Sequence, residues 1–462
     1  MVSVAAKAST LGKSARNPWL GLAVLLSAVF MTILDVFIVV VAAPAIRADV
    51  GASMAQIQWV VAAYNLAFGA LLITGGRLGD LYGSRRVFCV GLTLFVAASL
   101  AASMAGTAEV LIALRALLGA AAGLLVPQIF SIIQVGFDDA ARGKAFGAYA
   151  SVAGFAATIA QVLGGLLIAG DLFGLGWRLI FLINVPVGAL ALAAAALIPE
   201  SRAPHAARHS LDLVGVGLLL LAVLALMLPP SISLERGWGA ESLLLLAGFP
   251  ALGWLFVRWQ RRQVARARSP LIEPSLFRNS SFEAGNLLAL IFYANNAALF
   301  LALPMFLQDG LNHTALTSGH LFAPLALSFS VTSAWVGRWV PRYGHRLVVI
   351  GSVLLLVSYG LLVLAAWLTD VAANAWTLAP GLLLAGIGMG FVPTTINYLG
   401  LRHVQAREVG SASGVLNTSF ELGYGIGTLL VGAVFFSVQR AVASSVSAFT
   451  ASIVLTAVLI LL

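Results

Sequence analysis

The chain has 462 residues, 61% of them hydrophobic and 9% charged, with a mean hydropathy of +1.01. A soluble domain carries about a quarter charged residues, so this composition excludes an ordinary globular fold and points to a bilayer as the solvent. The formal charge of +9 would suit a nucleic-acid binder, but the basic residues fall between long apolar runs and leave no soluble domain to hold nucleic acid, so they are expected to set membrane orientation instead.

In chain order, Lys7, Lys13 and Arg16 precede the first apolar run. That run is too long for a signal peptide and contains Asp35, so it is expected to stay attached as the first span. A spanning helix needs about 20 mostly apolar residues. Fourteen stretches are candidates: 18–46, 56–75, 87–106, 110–135, 145–170, 179–199, 212–230, 242–258, 282–308, 318–337, 347–369, 376–399, 412–437 and 443–462. The eighth is the shortest and holds Pro250. With an even number of spans and the N-terminus inside, the inside segments hold 21 of the 26 Lys and Arg. Arg47, Arg178, Arg236 and Arg440 fall outside, and Arg115 lies within a span. This bias places both termini in the cytoplasm. It is the same for twelve spans as for fourteen. The uncharged run LVGVGLLLLAVLALML (213–228), which could not lie in water as a loop, favours fourteen.

An internal repeat divides the chain. GRLGDLYGSRR follows the second span and GRWVPRYGHR follows the tenth. Gly76 and Gly83 are spaced as Gly337 and Gly344 are, and Arg85 and Arg346 follow at the same offset. Parallel repeats of this kind build one large class of secondary transporters. The expected organisation is a six-helix bundle over 1–200, an inserted helix pair with a cytoplasmic linker over 201–270, and a second six-helix bundle over 271–462. The fold class is therefore all-α integral membrane.

These motifs resemble the major facilitator superfamily, and within it the 14-helix drug:proton antiporters. GRLGDLYGSRR is similar to that superfamily's signature loop at Gly76, Leu78, Asp80, Gly83, Arg85 and Arg86. LDVFIVVVAAPAI (34–46) is similar to the antiporters' first-helix motif, with Phe37 and Val40 at positions often held by Thr and Asn. QWVVAAYNLAFGALL in span two, WRLIFLINVPVG (177–188) and LDLVG (211–215) fit the same family. The fifth-helix motif departs from it: AQVLGG carries Ala160 and Gln161 where Gly and Pro are usual. In the fourth helix, Leu118 stands where Gln is usual. The resemblance implies that Gly76, Asp80, Gly83, Arg85 and Arg86 latch the two halves on the cytoplasmic side. The alternative is that Arg77, Arg85 and Arg86 only set topology.

Three charges fall within spans, where a charge costs about 2.5–3.5 kcal/mol. Counting along the helices puts Asp35 about 12 Å and Arg115 about 9 Å from the same side, so an ion pair is geometrically allowed. If a conformational change separates the pair, it binds a proton; rejoining releases it. The alternative is a static structural pair. Glu421, about 15 Å deep in span thirteen, could carry a proton or meet a cationic substrate, or it could be a neutral side chain of no consequence. Asn65, Gln128, Gln161, Asn295, Asn296 and Asn397 are candidates to line a central cavity or to bond helix to helix. There is no phosphate loop and no catalytic or metal-ligand spacing, so no enzyme activity, metal or cofactor is expected. The function read from these residues is secondary active transport, driven by the proton gradient: efflux of small amphipathic compounds by alternating access. A facilitator or symporter of a specific metabolite is the alternative. The expected partners are a small-molecule substrate and the lipid bilayer, with no nucleic acid, and the expected state is a monomer in the bacterial cytoplasmic (inner) membrane.

Overall fold

Long apolar runs fold as helices here because a spanning backbone must satisfy its own hydrogen bonds. The computed structural model describes residues 18–199, 212–236, 239–266, 268, 270–272, 274–401 and 409–461. Among them no strand forms. The first half contains α1 (Pro18–Val50), α2 (Met54–Tyr82), α3 (Ser84–Ser103), α4 (Ala108–Gly136), α5 (Asp139–Gly170) and α6 (Gly176–Leu197). The inserted pair is α7 (Leu213–Arg236) and α8 (Ala240–Ala265). The second half contains α9 (Ser280–Met305), α10 (Ala315–Val336), α11 (His345–Leu368), α12 (Ala379–Leu401), α13 (Val409–Val442) and α14 (Ser445–Leu461).

Twelve helices among the described residues are long and apolar enough to cross a membrane; the apolar stretches Leu213–Leu226 in α7 and Ser445–Leu461 are shorter. The seventh and fourteenth expected spans are thus helical, α7 over 24 residues and α14 over 17. Lys7, Lys13, Arg16, Arg202, Arg208, Arg402 and Arg407 of the expected inside segments lie outside the described residues.

Two segments that fall outside the expected spans are helical. The Gly76–Tyr82 part of the signature segment continues α2, and the chain turns only at Gly83, whose φ of 92° favours glycine. Gly344 has φ 49° at the matching position of the second half. The basic run after 258 continues α8 to Ala265. The run after 258 is rich in good helix formers, and in both places a charged helix end projects past the apolar stretch instead of unravelling.

In the first half α2 and α3 pack on α4, and α1 packs on α5. The second half repeats this with α9 on α13, and with α10 and α11 on α12. Small residues set the tightest approaches. Arg115, Gly119 and Gly123 share one face of α4 at four-residue spacing, and a Cβ at Gly119 or Gly75 would strike the backbone of Tyr64 or Gly123. The halves meet along α2–α13 and α5–α10. Helix α7 lies over the α2–α13 seam, where Leu219, Val223 and Leu226 pack with Ala62, Leu66 and Leu429.

Candidate transport site

A buried polar cluster sits inside the first half. Asp35 on α1 and Arg115 on α4 are both fully buried and form an ion pair. The Arg115 Nε donates to the Val60 carbonyl at 2.9 Å, which fixes the guanidinium between α2 and α4. Asn184 of α6 donates to Asp35 Oδ1 at 3.3 Å and to Ser99 of α3 at 3.2 Å. Tyr64 lies under the guanidinium, 4.6 Å from ring centre to Cζ, and its hydroxyl donates to the Thr32 carbonyl at 3.2 Å. Five helices of the first half therefore converge on one carboxylate. The second Arg115 amine, Nη2, has no hydrogen-bond partner among the described residues. Sequence counting put Asp35 and Arg115 at similar depth, and the fold brings them together. It gave no sign of Asn184, although the WRLIFLINVPVG motif contains it.

The third charge lies at the seam between halves. Glu421 faces Gly69 of α2: a Cβ at Gly69 would stand 2.9 Å from the Glu421 Cβ. One turn away, Thr418 donates to the Gly69 carbonyl at 3.2 Å. The carboxylate is within electrostatic reach of Tyr64, Tyr149, Tyr293 and Tyr424. Tyr64, which lies against Arg115, is thus within electrostatic reach of both charged centres. A run of aromatic rings continues across the seam. Phe322 packs on Phe300 at 5.0 Å, Phe300 on Phe37 at 5.2 Å, Phe37 on Tyr424 at 5.9 Å and Tyr424 on Tyr293 at 5.4 Å; Tyr293 then stacks on Phe420 at 4.3 Å. Phe37, Tyr293 and Tyr424 are half-buried and Glu421 is partly accessible. The arrangement offers flat apolar faces next to one carboxylate, suited to an amphipathic molecule with an aromatic or cationic part. Apart from Phe37, noted as a departure from a motif, the sequence reading missed these aromatics, because an aromatic at helical spacing reads as core. The usable signal was their recurrence on α1, α9 and α13 at the depth of Glu421.

The expected cavity polar residues divide. Gln128 donates to the Gly75 and Leu124 carbonyls at 2.7 and 2.9 Å, Gln161 donates to the Phe37 carbonyl at 3.1 Å, and Asn295 donates to the Thr456 carbonyl at 2.8 Å and accepts from Tyr359. These three bond helix to helix. Asn65 and Asn296 are buried, each with a side-chain oxygen that has no partner. The side chains of Asn397 and Asp80 lie outside the described residues. In the signature segment Gly76 stands 3.7 Å, by an added Cβ, from Pro127, Arg85 is half-buried and Arg86 is exposed.

At the opposite end of the bundle the halves are tied. Arg47 of α1 pairs with Asp309, just past α9, at 3.2 Å, and Gln308 donates to the Val41 carbonyl at 3.2 Å. Gly165 and Gly319 let α5 and the first turns of α10 cross closely.

Residues 25–428 match the family model described as Major Facilitator Superfamily. A probable actinorhodin transporter of Streptomyces coelicolor is 37% identical over 422 residues, which are 90% of this chain and 72% of that protein. A puromycin resistance protein of Streptomyces alboniger is 33% identical over 422 residues, 90% of this chain and 81% of that one. Among solved structures, an inward-facing bacterial homolog of the human lysosomal transporter Spinster superposes with TM-score 0.66 at 16% identity, over 97% of this chain and 96% of that one. With two helical halves around a seam, paired glycine turns and this match across nearly its whole length, the chain is a multi-pass membrane protein that belongs to the major facilitator superfamily.

Proposed function

We propose that the chain is a proton-coupled exporter of small amphipathic compounds in a bacterial cytoplasmic membrane, working as a monomer by alternating access. The observation that carries this reading is the buried Asp35–Arg115 pair, linked through Tyr64 to a seam lined by aromatics and Glu421. Asp35 has one ion-pair partner and one amide support, so a shift of α1 against α4 would leave it without its counter-charge. When the halves move and the pair separates, the carboxylate loses its counter-charge and takes up a proton; rejoining expels it. The substrate lies against Phe37, Tyr293, Phe420 and Tyr424, and Glu421 meets its cationic part. The Arg47–Asp309 tie closes the outer end while the site faces the cytoplasm. No cofactor takes part, because the proton gradient supplies the energy. Relatives named for antibiotic transport and resistance support efflux over the facilitator or metabolite-symporter alternative. The termini face the cytoplasm on the charge bias, and the inserted pair brings the spans to fourteen.

The test is a proton-flux assay in proteoliposomes, screened with lipophilic cations, antibiotics and metabolites. The expected result is proton counterflow with amphipathic compounds. Exchange of one metabolite without any pH gradient, and no proton movement with the rest of the panel, would contradict the reading.

A further inference from the structure

Helix α8 is set apart by how little of it the protein covers: 6% of its apolar stretch is buried. Its inner edge is fixed by polar bonds. Trp259 and Gln260 donate to the Asp212 carboxylate at 2.7 and 2.8 Å. Asp212 also accepts from the Gly215 amide, at the start of α7, at 2.8 Å and from the Leu271 amide, on the way to α9, at 3.3 Å. The outer edge of the same turns carries Arg258, Arg261 and Arg262, all exposed. The Arg258 guanidinium sits 5.0 Å from the ring centre of Trp254, one turn toward the apolar part of the helix. The three arginines line a cleft of about 410 Å³ with Trp254, Val257 and Ala265. Among the described residues no carboxylate pairs with any of the three.

The cleft has a defined level in the bundle. The segment just after α8 packs Leu276 against Phe282, Val415 and Ile73, and Ile73 lies one turn before Arg77 in the last turns of α2. The arginines therefore stand at the arginine-rich end of the bundle, where the apolar wall stops. An exposed Trp at that level suits the boundary between acyl chains and headgroups. Three unpaired guanidiniums beside it present planar, weakly hydrated forks that match a phosphodiester. The leaflet at the cation-rich side of a bacterial membrane protein carries anionic lipid at that level.

We propose that Arg258, Arg261, Arg262 and Trp254 form a binding site for the phosphodiester headgroup of an anionic phospholipid. The headgroup fills the cleft and the acyl chains run along Val257 and Trp254. Through Gln260 and Asp212 the occupied turn is tied to both the start of α7 and the approach to α9, so the lipid anchors the inserted pair at the junction of the halves.

The test uses the full chain in phosphatidylcholine vesicles doped with brominated phosphatidylglycerol, or with the same amount of brominated phosphatidylcholine. The emission lost in Trp254→Phe isolates the reporter. The expected result is stronger quenching by the brominated anionic lipid, with the preference falling about fivefold for each arginine replaced by Gln. The single variants R258Q, R261Q and R262Q give the same reading should the triple variant fail to insert. Arg→Lys at all three positions keeps the charge but loses the planar fork, and retains only part of the preference. Equal quenching by the two lipids, an unchanged preference in the Gln variants, or displacement of the brominated lipid by inorganic phosphate would overturn the proposal, the last by assigning the cleft to a soluble anion.

Discussion

Asp35 is held by one arginine, one amide and the burial around them, which makes its chemistry sensitive to single substitutions. Removing one partner of a buried pair costs about 3–5 kcal/mol, because the other charge is left unpaired. Arg115→Gln is therefore expected to lower thermal stability by about that amount, whereas Asp35→Asn with Arg115→Gln recovers most of it because no buried charge remains. Thermal unfolding in detergent checks this; a double variant as unstable as the sum of the singles would show that the pair is not one unit. Glu421 calls for a different expectation. It has no ion-pair partner among the described residues, so Glu421→Gln should leave folding intact. It should weaken binding of cationic compounds by about tenfold while sparing neutral ones, since a desolvated cation near aromatics and a carboxylate contributes about 1–2 kcal/mol. Competition binding with a cationic and a neutral ligand of the same shape distinguishes these; an equal loss for both would assign Glu421 a packing role. That both acids lie within long apolar helices was legible in the sequence. Their partners were not, because Asn184 and Tyr64 reach Asp35 and Arg115 through tertiary packing rather than through spacing.

At the scale of elements, glycine faces and end contacts decide how helices meet. Gly119 on α4 accepts the backbone of α2 so closely that a methyl group has no room, and Gly123 one turn on is a tight contact with Phe68 and Leu71. Gly119→Ala is expected to cost about 1–3 kcal/mol by overpacking and to shift the Arg115 guanidinium from Val60, which monodisperse yield and unfolding temperature measure; unchanged values would mean that the α2–α4 crossing is looser than described. The four-residue spacing of Arg115, Gly119 and Gly123 is visible in the sequence, but the helix it faces is not. The ends of elements were less legible still. The Gly76–Tyr82 segment and the basic run after 258 fall outside the expected spans because they are charged, yet both continue helices, since a helix end in water keeps its backbone bonds once started. The Arg47–Asp309 contact joins residues far apart in the chain and has no local signal. A partly exposed pair contributes about 1 kcal/mol at most. Asp309→Asn should thus raise labelling of Phe37→Cys, in a Cys89→Ser background, by up to about fivefold from the side that holds Asp309; slower or equal labelling would count against this contact as the closure.

For the whole molecule, apolar length made the all-helical membrane fold legible, because hydropathy is a local property. The count of spans was less so. Twelve helices among the described residues meet the length and composition of a span; α14 has 17 residues, and α7 is apolar over Leu213–Leu226 of its 24. The role of α7 could not be read from its uncharged run alone; its place over the α2–α13 seam follows from Leu219, Val223 and Leu226 meeting residues of both halves. Gln161, the departure in the fifth-helix motif, bonds the Phe37 carbonyl and sits where α5 crosses α10. In this chain it is thus a contact between helices at the crossing of the halves. All these features bear on one claim, that opening and closing of the Asp35–Arg115 pair couples protons to substrate movement. The most direct test compares wild type and Asp35→Asn in proteoliposomes, measuring substrate transport driven by a pH gradient and substrate exchange without one. The account predicts that the variant inserts, retains exchange at a comparable rate and loses gradient-driven accumulation. Gradient-driven accumulation by Asp35→Asn equal to wild type would contradict it.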